Sequence, residues 1–228
     1  MPSVKFRRAA RLAAVWLALL LAGPTPAPAL RPAAPGTFDY YVLALSWSPE
    51  HCASPAGATD RRECGTIRNG FVVHGLWPQF LAGGYPESCG PVGLVPQVVI
   101  ARNLDVIPEE KLIRHEWATH GTCTGLDVES YLARVRAARQ AVKLPDDYLA
   151  PNVEFRTDMA RLRAAFAAAN PGFPPEAFAA QCHGRHLAEV RICLGKTSSR
   201  WPVARTSTPM IAGVGNSPSV RCFRRTDA

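Results

Sequence analysis

The chain has 228 residues, 47% of them hydrophobic and 19% charged, and a formal net charge of +8 at neutral pH. That length allows one domain with a real core, and no linker or internal repeat divides it. No segment offers about 18 uninterrupted apolar residues, which excludes a membrane-spanning helix.

Lys5, Arg7, Arg8 and Arg11 precede an apolar stretch over 12–22 and a small-residue, proline-rich passage ending at Ala29. Residues 1–29 therefore read as a secretory signal peptide, followed by a single domain over 30–228. The leader carries four basic residues and no acid, so the mature chain keeps a charge of +4. This is mild attraction toward a polyanion, not a basic groove. The mature protein is expected to be soluble and secreted or periplasmic. All seven cysteines, at 52, 64, 89, 123, 182, 193 and 222, follow the leader. Export makes disulfides the default reading, and an odd number leaves one thiol unpaired.

Residues 38–47 and 71–74 are rich in valine, leucine and aromatics and are bounded by proline and glycine, the pattern of strands. Cys52 and Cys64 suit a short bridge between them. The segment 71–78, FVVHGLWP, places His74 where a strand-like run meets Gly75. A second segment, 115–123, HEWATHGTC, supplies His115, Glu116, Trp117 and His120. Together the two segments hold three of the six histidines, one carboxylate and two tryptophans. Converging imidazoles suit proton transfer near neutrality without a cofactor.

Pro108, Glu109 and Glu110 form a helix start, and the helix is expected to run into Gly121. Glu116 and His120, four apart, share a face, as do His115 and Thr119. His115 and His120, five apart, diverge by about 140°. A zinc motif of the H-E-x-x-H type needs its histidines four apart, so no metal is assigned. Glu116 beside His120 instead suits a carboxylate that orients or polarises a reacting group next to a proton-moving imidazole. Trp117 reads as a core anchor.

Further on, Asp127 can cap a helix that buries Tyr131, Val135, Ala138 and Val142. Thr157 can cap one that buries Met159, Leu162, Phe166 and Ala169. The arginines at 134, 136 and 139 read as solvated. Cys182 with His183 and His186 reads as a disulfide plus surface histidines, not a metal cluster. Residues 189–194 alternate, with Val190, Ile192 and Leu194 on one face of a half-buried strand and Glu189, Arg191 and Cys193 on the other. Cys222 can pair with Cys182 or Cys193. Strands at both ends with helices between them indicate an α+β domain.

The segments 71–78 and 115–123, in this order and spacing and with the YYVLALSWSP start at 40–49, resemble the active-site segments of the ribonuclease T2 family. The resemblance implies an antiparallel sheet with helices packed around it, in a disulfide-stapled domain with a Cys89–Cys123 bridge. It implies a metal-independent endoribonuclease, without cofactor, that cleaves single-stranded RNA through its own 2′-hydroxyl to a 2′,3′-cyclic phosphate and then a 3′-phosphate. His120 would be the general base and His74 the general acid, with His115 holding the phosphate and Glu116 beside the phosphoryl group. Trp77 matches a base-stacking position, and Tyr85 offers a second aromatic surface by spacing.

Two positions depart from the family. Thr119 stands where relatives usually carry lysine, which removes a cation from the transition state. Lys111 lies about 12 Å back along the helix and points away, so rescue would fall to an unassigned arginine. Gln79 replaces an acid that selects a base in some members, so low base specificity is expected. The expected partner is RNA, with no membrane and no obligate protein partner, on a monomer. The alternative is a catalytically weakened RNA-binding or protein-interaction module on the same fold.

Overall fold

The computed structural model describes residues 33–65, 69–149 and 156–197. The leader assigned to 1–29 and the cysteine at 222 lie outside them. Four strands, β1 (Tyr40–Trp47), β2 (Phe71–Gln79), β3 (Phe178–His183) and β4 (His186–Leu194), form one sheet in the order β2-β1-β4-β3. Every neighbouring pair is antiparallel. Among the described residues five α-helices accompany them: α1 (Ser48–Cys52), α2 (Gln97–Ala101), α3 (Glu110–Thr119), α4 (Val128–Ala141) and α5 (Met159–Ala169). This is the α+β class expected. None of the described helices is long and apolar enough to cross a membrane.

One face of the sheet carries the core. Tyr41, Leu43, Leu45 and Trp47 of β1 pack with Phe71, Val73 and Leu76 of β2 and with Val190, Ile192 and Leu194 of β4. Helix α4 buries Tyr131, Leu132, Val135 and Ala138 against this core, and α5 buries Leu162 and Phe166. The Tyr131 hydroxyl donates to the Leu76 carbonyl at 3.2 Å, so a buried polar atom is satisfied where α4 meets β2.

Asp127 caps α4 by accepting from the Ser130 amide at 2.8 Å, as expected. The cap of α5 is corrected by one residue. Asp158 accepts from the Arg161 amide at 2.9 Å, while Thr157 is buried with its hydroxyl 2.9 Å from that of Tyr148. A carboxylate is the stronger acceptor for a helix N-terminus, and the tyrosine claims the threonine. Helix α3 begins at Glu110 and ends at Thr119, with His120 as its C-cap. The strand read at 71–74 extends to Gln79, and β3 adds a hairpin partner that the alternation did not mark.

Disulfides join Cys52 to Cys64 and Cys89 to Cys123. Of the two thiols considered for Cys222, Cys193 is free and buried, whereas Cys182 is disulfide-bonded. Next to it, His183 and His186 are exposed and face Glu50 at 3.4 and 3.7 Å.

Candidate active site

The two histidine-bearing segments meet at the β2 edge of the sheet. Opposite β1, the register slips: Ala44 faces Gly75 but Leu45 faces Val73, leaving His74 as an extra residue in a bulge. A bulge bends the strand and re-aims a side chain, which is how a histidine leaves the alternation of a buried strand. His74 Nδ1 donates to Glu189 Oε2 at 2.7 Å, and Nε2 faces Glu116 Oε1 at 3.8 Å. Only glycine fits at position 75, because a Cβ there would overlap the Glu116 carboxylate and the Trp77 indole nitrogen.

Glu116 enters from α3 and is 1% exposed, its Oε2 accepting from Trp77 Nε1 at 2.8 Å. One turn on, His120 keeps the helical bond from its amide to the Glu116 carbonyl at 3.0 Å, so the expected shared face holds across the helix end. Gly121 follows because a Cβ there would run into the Trp117 ring. The His120 ring lies 5.3 Å from Trp77, tilted by 35°, and its Nδ1 is buried without a hydrogen-bond partner among the described residues.

Trp77 is thus the hub of the cluster. The His74 ring meets it edge-on at 5.3 Å, and the Arg191 guanidinium lies over it at 5.0 Å. Tyr85, exposed and 6.0 Å from the His120 ring, is the more open aromatic surface. His115 is exposed on α3, and Thr119 ends that helix with its carbonyl accepting from the Ser88 amide at 2.8 Å. Gln79 is buried in β2.

The alternation in β4 assigned Glu189 and Arg191 to an outer face, and their part in the cluster was missed. Glu189 is 8% exposed and binds His74 through one oxygen and Arg191 Nε through the other at 2.6 Å. The available signal was an acid and a base two apart on one face of a strand whose other face is apolar.

The electrostatics divide the two imidazoles. Burial lowers the His120 pKa to about 4, helped by the neighbouring charges of His115 and His74, so the ring is neutral in weak acid. Burial alone would lower His74 too, but its hydrogen bond and charge pairing with Glu189, and the charge of Glu116, raise it above the ordinary histidine value. For Glu189 burial acts upward, yet His74 and Arg191 bring it below the usual carboxylate value. Burial pushes Glu116 up to about 7, against the charge of His74 and the Trp77 hydrogen bond. Adjacent groups pushed apart in this way can exchange protons with a bound molecule in opposite directions.

Elsewhere among the described residues, His51, Asp60 and Glu63 cluster within the Cys52–Cys64 loop, where His51 Nε2 pairs with Asp60 Oδ2 at 3.2 Å.

The model of the ribonuclease T2 family matches residues 38–201. A ribonuclease of Aeromonas hydrophila is 39% identical over 178 residues, covering 71% of this chain and 74% of the relative. Ribonuclease I of Escherichia coli is 28% identical over 216 residues, covering 75% and 81%. Among solved structures, an RNase-related protein from Calystegia sepium has a TM-score of 0.55 at 22% identity, covering 75% of this chain and 95% of its own. A ribonuclease MC1 variant in complex with 5′-UMP has a TM-score of 0.56 at 20% identity, covering 72% and 91%. At these identities the structural likeness speaks for the fold, and the family match spans well over half the chain. The chain belongs to the ribonuclease T2 family and is an RNA-cleaving enzyme.

Proposed function

We propose that this enzyme cleaves single-stranded RNA internally, without a metal, by attack of the 2′-hydroxyl on the adjacent phosphorus. The observation that carries this reading is the convergence of two imidazoles on one buried carboxyl and indole, with His74 Nε2 3.8 Å from Glu116 Oε1 and the His120 ring 5.3 Å from Trp77, which binds Glu116. Burial and charge displace the two imidazoles in opposite directions. His120, neutral in weak acid, takes the 2′-hydroxyl proton as the new P–O2′ bond forms. His74, held as the imidazolium by Glu189, gives its proton to the departing 5′-oxygen as the P–O5′ bond breaks. The product is a 2′,3′-cyclic phosphate, and the reverse assignment of the two histidines hydrolyses it to a 3′-phosphate.

Glu116 fits beside the phosphoryl group because, with its pKa near neutrality, its carboxyl can donate a hydrogen bond instead of repelling an anion. His115, exposed on α3 and near enough to His120 to influence its charge, is the residue we assign to hold the phosphate. Tyr85 and the free part of Trp77 offer stacking surfaces worth roughly 1 to 3 kcal/mol per base. Gln79, buried and uncharged, supports low base specificity. The leader-like 1–29 segment and the disulfides support a secreted or periplasmic domain over 30–228.

The test is digestion of RNA by the purified protein in excess EDTA, with end-group analysis. Cyclic-phosphate ends are expected, and they should vanish in His74→Ala and His120→Ala. The kcat/KM profile should rise through about pH 4 as His120 loses its proton, then fall above the ordinary histidine range as His74 does. Cleavage abolished by EDTA would point to a metal enzyme. No cleavage at any pH would favour a binding module on the same fold.

A further inference from the structure

Phosphoryl transfer spreads negative charge over the equatorial oxygens, and a preorganised cation is an effective way to stabilise it. The active-site helix brings no lysine to this point, because it ends in the uncharged Thr119 and Lys111 lies exposed two turns earlier. Strand β4 brings a cation instead. Arg191 and Gly75 both face Ala44 across the sheet, so the guanidinium stands on the same face as the indole of Trp77.

The guanidinium is fixed at two points. Its Nε donates to Glu189 Oε1 at 2.6 Å, and its centre lies 5.0 Å from the Trp77 ring. The second oxygen of Glu189 holds His74 Nδ1 at 2.7 Å, so one buried carboxylate aligns both the imidazole and the guanidinium. The two terminal nitrogens of Arg191 meet no protein acceptor among the described residues, whereas Arg114 and Arg136 commit theirs to Glu110 and Asp105. With its side chain 28% exposed, Arg191 is held yet reachable. Two free nitrogens in a planar fork match two phosphoryl oxygens.

We propose that Arg191, aligned by Glu189, is the phosphate-binding cation of this enzyme. The proposal deepens the phosphoryl-transfer reading above and rests on it. Imidazolium, guanidinium and Glu189 carboxylate together leave one positive charge, the complement of a phosphodiester. Arg191 touches the substrate, whereas Glu189 is a positioning residue that acts through it and through His74.

The experiment compares Arg191→Gln, Arg191→Lys and the double variant Arg191→Gln/Thr119→Lys on a dinucleoside monophosphate in EDTA, with inorganic phosphate as the binding probe. Arg191→Gln should lose about 10²- to 10³-fold in kcat, the scale of removing one preorganised donor, and should bind phosphate more weakly. Arg191→Lys should retain most of the activity, and Thr119→Lys should restore a large part of what Arg191→Gln loses. The pH profile adds a readout that packing would not move. Its falling limb should shift upward in Arg191→Gln, which removes a positive neighbour of His74, and downward in Glu189→Gln, which removes the negative one.

Wild-type kcat and phosphate affinity in Arg191→Gln, with His74→Ala and His120→Ala dead, would overturn the proposal and leave the mechanism standing. Loss of activity with unchanged phosphate affinity and no rescue by Thr119→Lys would reduce Arg191 to a packing role and overturn it as well. Full activity in His74→Ala would instead sink the mechanism itself. If Arg191→Gln does not fold, Arg191→Met, which keeps the apolar stem, takes its place.

Discussion

The two faces of the sheet bury their residues by different means. On the core face, Leu43, Leu45, Leu76, Val190 and Ile192 are shielded from water with no polar side-chain atom among them. Across the same backbone stand Ala44, Gly75, Trp77, Glu189 and Arg191, and Glu116 reaches this side from α3. Glu116 and Glu189 are nearly as inaccessible as the core, and each is tolerated because donors are aimed at it: Trp77 for one, His74 and Arg191 for the other. The core face is therefore a matter of volume, and the other face a matter of charge. Substitutions on the first should lower stability and leave turnover alone, while those on the second should lower turnover and leave or improve stability.

The sharpest break in that contrast is His120→Ala. Removing the general base we propose should cost about 10²- to 10⁴-fold in kcat, with a melting temperature at or above that of the wild type in weak acid. The sign follows from the displacement of the group. The folded pKa is about 4, below the ordinary histidine value of 6.5, so the unfolded chain binds more protons between these values, and the wild type loses stability as pH falls through them. Thermal melts at pH 4 to 7 check this, and a strong destabilisation at pH 7 would mean that His120 belongs to the packing.

Leu43→Ala is the opposite case. The residue is fully buried in β1, one of the two inner strands, and its truncation should destabilise the protein by about 2 to 5 kcal/mol. Urea unfolding should show the whole effect, with kcat per folded molecule unchanged at low denaturant. A parallel fall in kcat would show that the core transmits its shape to the site, joining the two faces.

Much of this division was legible in the chain, and the illegible part has a physical cause. Alternation over 189–194 marked the apolar side of β4 correctly, because exclusion of water acts on every second residue alike. The same pattern assigned Glu189 and Arg191 to solvent, since periodicity registers which side is polar and not whether another element covers it. His74 was found by its motif, but its orientation comes from a bulge against β1, a relation between strands that no local pattern expresses. The spacing of Glu116 and His120 survived because it depends on one helical turn, even though the helix stops at Thr119. Thr157 was passed over as a cap for the tertiary reason that Tyr148 binds it.

Glu116→Gln tests whether buried charge on the second face is a cost borne for chemistry. The folded pKa of about 7 lies above the ordinary carboxyl value of 4.5, so the folded state binds the extra proton. Stability therefore falls as pH rises from 4.5 to 7, by on the order of 3 kcal/mol at most. The glutamine removes that loss and can still accept from Trp77. The variant should match the wild type near pH 4, exceed it in stability above pH 7, and cleave RNA more slowly throughout. Equal stability of the two proteins at every pH would mean that Glu116 is ionised in the fold without penalty.

Cys193 offers the smallest and most selective test, because it lies on the charged side of the sheet yet takes no part in the charge. It sits two residues from Arg191 and is packed with Tyr40 and Val42, and burial pushes its thiol up to about 12. A protonated, inaccessible thiol is a poor nucleophile, so a thiol reagent should modify native protein only as fast as the protein opens. Cys193→Ala removes one sulfur from a small apolar cluster and should cost about 1 kcal/mol, with kcat and both limbs of the pH profile retained. That outcome would place the boundary of the electrostatic network between Arg191 and Cys193, within one strand. A displaced pH limb would instead show that packing beneath Trp77 sets the position of the indole, and through it the carboxyl and the two imidazoles that the indole touches.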